Sequence, residues 1–156
     1  YDKSSCCIGS LIYREIVKTA QAIQPCGFFM PMNKLCWIKI IAINGLLSVV
    51  LGAFAAHLLD GLLTAQRSET FDTAVQYQIF HTLALLGLIC IDDRLLVTRW
   101  KKYAAVFFLL GIILFCGSLY LLIATNITQF AIITPVGGLS FMLGWIILLL
   151  AAIRDK

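Results

Sequence analysis

The stretch TAVQYQIFHTLALLGLIC, Thr73 to Cys90, sets Gln76, Gln78 and His81 inside a run that is otherwise nearly hydrocarbon. Three kinds of chemistry suit such residues. They can bond across to a neighbouring helix as structural glue, bind a small ligand or carry a proton, or ligate a metal. His81 carries most of the functional weight, because an ionisable side chain deep in a membrane is a functional candidate by default. Thr73, Tyr77, Gln78 and His81 share roughly one helical face by i+3 and i+4 spacing, with Asp72 and Gln76 on the adjoining strip. Tyr120, Ser118 and His57 complete the candidate ligand-binding set, each a polar group in or beside an apolar run.

Several more specific chemistries are disfavoured by spacing. Two histidines suggest haem, but His57 and His81 differ in depth by about 12 Å at about 1.5 Å of rise per residue, too far for axial ligands of one ring. His81 and Cys116 fall at one depth, yet two ligands of unknown facing do not define a metal site. No nucleophile–base–acid set, phosphate loop or carboxylate pair is present, so the reading is a protein without catalytic residues, metal or cofactor. The six cysteines contain no CxxC pair, and Cys90 and Cys116 lie inside apolar runs, where thiols serve as small apolar groups.

The elements that must position these side chains are membrane spans. Of 156 residues 61% are hydrophobic and 13% charged, with mean hydropathy +0.95; the charged fraction is about half that of a soluble domain. Four blocks reach the roughly 20 residues that a bilayer requires. They run over 38–59, 71–91, 103–124 and 131–152. Lipid offers no partner to free backbone groups, so the spans are helices, and short connections make neighbours antiparallel. The fold class expected is an all-α membrane protein, a four-transmembrane-helix antiparallel bundle in contact with the lipid bilayer. The net charge of +4 is not a nucleic-acid footprint, since the basic residues flank apolar blocks.

Charge also orients the bundle. Lys3, Arg14, Lys18, Lys34 and Lys39, the loop residues Arg94, Arg99, Lys101 and Lys102, and Arg154 and Lys156 share one side; Arg67 stands alone on the other. Under the positive-inside rule both termini are cytoplasmic. The segment 1–31 reads as an extension, either upstream sequence foreign to the native protein or a surface helix, with Met32 as a natural start and 32–156 as the transmembrane domain. Asn126 in "NIT" matches a glycosylation acceptor but adjoins the membrane, and is read as a turn.

In this orientation most polar groups fall in the outer half of the spans, with Asn44 and Lys39 as exceptions. If their faces converge, the bundle has a polar pocket opening outward above a dry inner plug. Ser48, Gly52 and Ala56 form a small-residue row on the first helix, and Ser140 and Gly144 repeat it on the fourth, as helix-packing positions. Pro135 and the pair Gly137-Gly138 are expected to kink or loosen the start of the fourth helix and free carbonyls there.

Four segments, "GAFAAHLL", "FDTAVQYQIFHTLALL", "LFCGSLYLL" and "TPVGGLSFMLGW", in this order, resemble the YgdD/YwdK-like family. The resemblance covers Met32 to the C-terminus, and Ala55 and Leu58 stand where the family often has glycine. It implies a four-span bacterial-type inner-membrane protein with a domain of unknown function, and brings no substrate or catalytic residue. Two functions are expected from the residues, with a membrane enzyme third for want of a recognisable catalytic set. The first is a non-enzymatic membrane protein that binds or passes a small polar ligand or ion, as a homo-oligomer if there is a pathway, with the row on the first helix as the interface. The second is a structural or assembly factor for a larger membrane complex.

Overall fold

The computed structural model describes residues 34–57, 63–92 and 96–154. Four helices among them are long and apolar enough to cross a membrane: α1 (Lys34–His57), α2 (Ala65–Cys90), α3 (Thr98–Thr125) and α4 (Thr134–Arg154). The described residues are all-α, as the apolar blocks require. The expected extension over 1–31 and the departure at Leu58 lie outside the described residues.

α1, α2 and α3 begin before the apolar blocks expected for them, at Lys34, Ala65 and Thr98. α2 begins at Ala65, and the backbone amides of Arg67 and Ser68 both donate to the Thr64 carbonyl. In its early turns Thr70 and Thr73 bond back to the carbonyls of Gln66 and Glu69, each at 2.8 Å. At the other end of α2, the Lys101 ammonium donates to the Ile91 carbonyl at 2.8 Å and is fully buried. A cation on the carbonyls that end a helix satisfies both the open acceptors and the helix dipole. Lys101, near the start of α3, is thereby tied to the end of α2. Asn126 ends α3 with φ 61°, and its amide donates to the Leu122 carbonyl; asparagine tolerates this left-handed conformation better than most residues.

Irregular backbone occurs at a place the sequence did not suggest. The fourth helix is continuous from Thr134 to Arg154, with a separate 3-10 turn at Thr128–Ile132 before it. Pro135 sits in its first turn, where the missing amide removes no helical bond. The irregular backbone expected near this start is the 3-10 turn before Thr134, and the amides of Val136 and Gly137 both close on the Ile133 carbonyl. It is α3 that is interrupted, by a π segment at Ile112–Cys116.

The interruption lies where α3 and α4 come closest. A side chain at Gly137 would overlap the backbone of Phe115, one at Gly111 the Phe141 ring, and one at Gly144 the Phe108 ring, 2.6 Å from its nearest atom. Rings of each helix thus occupy glycine hollows of the other. Ser140 adds a bond between them, its hydroxyl donating to the Phe107 carbonyl at 2.8 Å. Phe108, Ala104, Leu85 and Phe141 anchor the core between α2, α3 and α4. α1 is set along α2 and buries only Ile41 and Ser48.

Candidate functional site

The expected single polar pocket is replaced by three separate environments. The first is internal. Gln78, 1% exposed, accepts at Oε1 from the Tyr120 hydroxyl at 2.8 Å and donates from Nε2 to the Asn44 carbonyl at 3.3 Å. Ser48 donates to the same carbonyl at 2.8 Å, and the Thr82 hydroxyl to the Gln78 carbonyl at 2.6 Å. One amide thus clasps α1, α2 and α3. Ser118 stands apart from this group: its hydroxyl meets that of Thr134 at 2.8 Å and the Phe115 carbonyl at 2.9 Å. These are packing contacts between α3 and the start of α4. No buried side-chain nitrogen or oxygen among the described residues lacks a partner.

The second environment is a shallow groove at the start of α2. Gln76 is exposed and lines it with Ser68, Glu69, Asp72 and Thr73. Ala56, at the far end of the small-residue row, borders an adjoining hollow with Ser68 and Asp72. Gly52, half-buried, borders the same hollow. Ser48 is buried, and a Cβ on Gly52 would contact Val75 of α2 at 3.7 Å. This face of α1 therefore packs against α2 at Gly52 and opens at Ala56, which is exposed. His57 ends α1, exposed, and does not join the other candidates.

The third environment holds His81. Its ring is 7% exposed and stacks on Phe141 with centroids 3.5 Å apart and planes at 14°. Phe108 and Trp145 meet it at 5.5 and 6.4 Å. Nδ1 lies 2.9 Å from the Tyr77 carbonyl. A carbonyl only accepts, so Nδ1 carries the hydrogen, and in the neutral ring Nε2 keeps a lone pair. Nε2 has no hydrogen-bond partner among the described residues, yet it is not one of the sealed, unsatisfied atoms. It therefore reaches open space.

That space is a cleft of about 690 Å³ between α2, α3 and α4. Tyr77, Phe115, Pro135, Phe141, Met142 and Trp145 line it with His81. Tyr77 and Trp145, 42% and 50% exposed, form the rim, whereas His81 lies at the floor. The wall is aromatic, and the opening faces sideways from the bundle, along surfaces that expose Leu139 and Met142. The cleft exists because Gly137 brings the α4 backbone against Phe115 and Gly138 leaves its own side of the helix bare. The sequence signalled its floor through His81, and missed the wall. Phe141 and Trp145, at i and i+4 on α4, carried the only available hint, which any lipid-facing aromatic pair would give.

A family model described as "Protein of unknown function (DUF423)" matches residues 51–138. The chain is 44% identical to the UPF0382 inner membrane protein YgdD of Escherichia coli (strain K12) over 115 residues, 74% of this chain and 87% of the relative. It is 40% identical to the UPF0382 membrane protein YwdK of Bacillus subtilis (strain 168) over 113 residues, 72% and 92% of the two chains. A UPF0382 membrane protein of Haemophilus influenzae is 37% identical over 120 residues, 77% of this chain and 95% of its own. No solved structure matches the chain.

Proposed function

Because the chain belongs to the DUF423 family, whose relatives are named as membrane proteins and not by any activity, we propose its function from the cleft alone: it binds a small amphipathic molecule that enters from the lipid. One observation carries this reading. His81 is buried to nine-tenths in an aromatic wall, and its Nε2 has no partner among the described residues. Burying an imidazole nitrogen near hydrocarbon without a bond is costly, and a ligand group at that position removes the cost. Gln76, Gln78, Tyr120, Ser118 and His57 lend less support to a ligand site. Gln78, Tyr120 and Ser118 are bonded within the bundle, and Gln76 and His57 do not line the cleft. Passage of an ion draws no support from groups so committed.

The orientation that belongs to this reading has both termini in the cytoplasm and the membrane is the inner one. The charge distribution supports the first, and the names of relatives the second.

The test is binding of a flat lipid-soluble probe, 2-naphthol, to the full chain in nanodiscs, compared with Gly138→Phe. A side chain at position 138 starts 3.9 Å from the Phe115 ring, so it fits the backbone and grows into the cleft. The parent is expected to bind, and the variant to bind at least about tenfold more weakly, the loss of roughly 1.4 kcal/mol. Equal binding by the two proteins would remove the cleft from the account.

A second reading, an assembly factor for a membrane complex, draws on α1. Only two of its residues are buried, while Leu46 and Val49 are 68% and 69% exposed. A stable complex with other membrane proteins in mild detergent would favour it.

A further inference from the structure

The chemistry of the floor selects among lipid-soluble molecules. Resting on the reading of the cleft as a ligand site, we infer that its ligand is an aromatic hydroxyl compound, of the class of phenols and quinols, whose hydroxyl donates to His81 Nε2. The direction of that bond follows from the other side of the ring. Nδ1 is held as the donor by the Tyr77 carbonyl, 2.9 Å away, which leaves Nε2 of the neutral imidazole as an acceptor. A ligand presenting only an ether or ester oxygen brings a second acceptor to the same point and makes no bond. A hydroxyl brings the missing donor.

The walls set the rest of the molecule. Phe141 lies flat on the His81 ring, Phe115 and Tyr77 stand 4.7 Å apart, and Trp145 closes one edge. Rings so arranged favour an aromatic guest by offset and edge-to-face contact beyond simple burial of area. An acyl chain would be held no better here than in the bilayer itself, since lipid is as apolar as the wall. Shape and donor together point to a ring bearing a hydroxyl.

A matched pair of probes tests this on the parent protein, so the outcome does not depend on a variant that folds. The full chain, labelled with ¹⁵N in its histidine rings and embedded in nanodiscs, is titrated with 2-naphthol and with its methyl ether. His57→Gln assigns the His81 resonances. The hydroxyl probe is expected to bind about tenfold more tightly, the order of one buried hydrogen bond, and to move the Nε2 resonance while Nδ1 stays protonated. Equal affinities with an unmoved Nε2 would overturn the hydroxyl requirement while leaving the cleft as a site for flat apolar molecules. Failure of both probes to bind would overturn the ligand class together with the cleft reading, and would leave the groove as a lipid-covered surface.

Discussion

Gln78 and His81 are one helical turn apart, both more than nine-tenths buried, and they face opposite circumstances. Gln78 has its oxygen and its nitrogen bonded to two other helices. Interhelical bonds in membranes average about 0.6 kcal/mol, so its contribution is modest while it is intact. Its removal is another matter, because the half-buried Tyr120 hydroxyl would lose its Gln78 partner in apolar surroundings, at about 1–3 kcal/mol. His81 differs at every point. Its one bond runs to its own helix, its partners across the interface are rings, and Nε2 has no partner among the described residues. Loss of the imidazole strands nothing, and a phenyl ring would preserve the stack on Phe141. The sequence placed both residues on a polar face and had no means of telling them apart. That distinction rests on Tyr120, 42 residues away, and on which way each side chain turns.

At the scale of elements, α3 and α4 are locked by reciprocal ring-and-glycine contacts, and substitution of the glycines should follow the space around each. Gly137→Ala drives a methyl group into the backbone of Phe115, which cannot rotate away, and should lower unfolding stability in detergent by about 2–3 kcal/mol. Gly87→Ala, on α2, meets nothing within 4 Å, and should be neutral or stabilising by up to about 1 kcal/mol through helix propensity. Similar losses at both positions would deny the close approach of α3 and α4. The spans themselves were legible, since an apolar block of this length has few alternatives in lipid. Glycines were legible only as small residues. Pro135 and Gly137-Gly138 suggested a kink or a loosened start of α4; the irregular turn lies just before Thr134, a proline in the first turn disturbs no bond, and Gly137 also serves contact with α3. The π segment at Ile112–Cys116 left no mark in a run of Ile, Leu and Phe, because it is a feature of how α3 meets α4 and not of local propensity.

For the whole molecule the charge asymmetry makes a geometric prediction. Cys36, at the start of α1, and Cys90, at the end of α2, are both exposed and belong to the same side of the bundle; Gln129 is exposed in the connection from α3 to α4 on the other. In a chain with Cys6, Cys7 and Cys26 replaced, an impermeant thiol reagent should leave Cys36 and Cys90 unmodified in intact cells and react with them in inverted vesicles. Gln129→Cys should show the reverse, and the opposite pattern would invert the orientation. This expectation comes from charge counts along the chain, which do not depend on packing. What the sequence could not supply was the partition of its polar residues into a clasp and a cleft. The central claim is that partition, and the measurement closest to it is thermal unfolding in detergent of Gln78→Leu and His81→Phe beside the parent. Gln78→Leu should lose about 1–2 kcal/mol and His81→Phe less than about 0.5 kcal/mol. If His81→Phe instead falls as far as Gln78→Leu, His81 is glue like its neighbour, and the cleft has no residue held in reserve for a ligand.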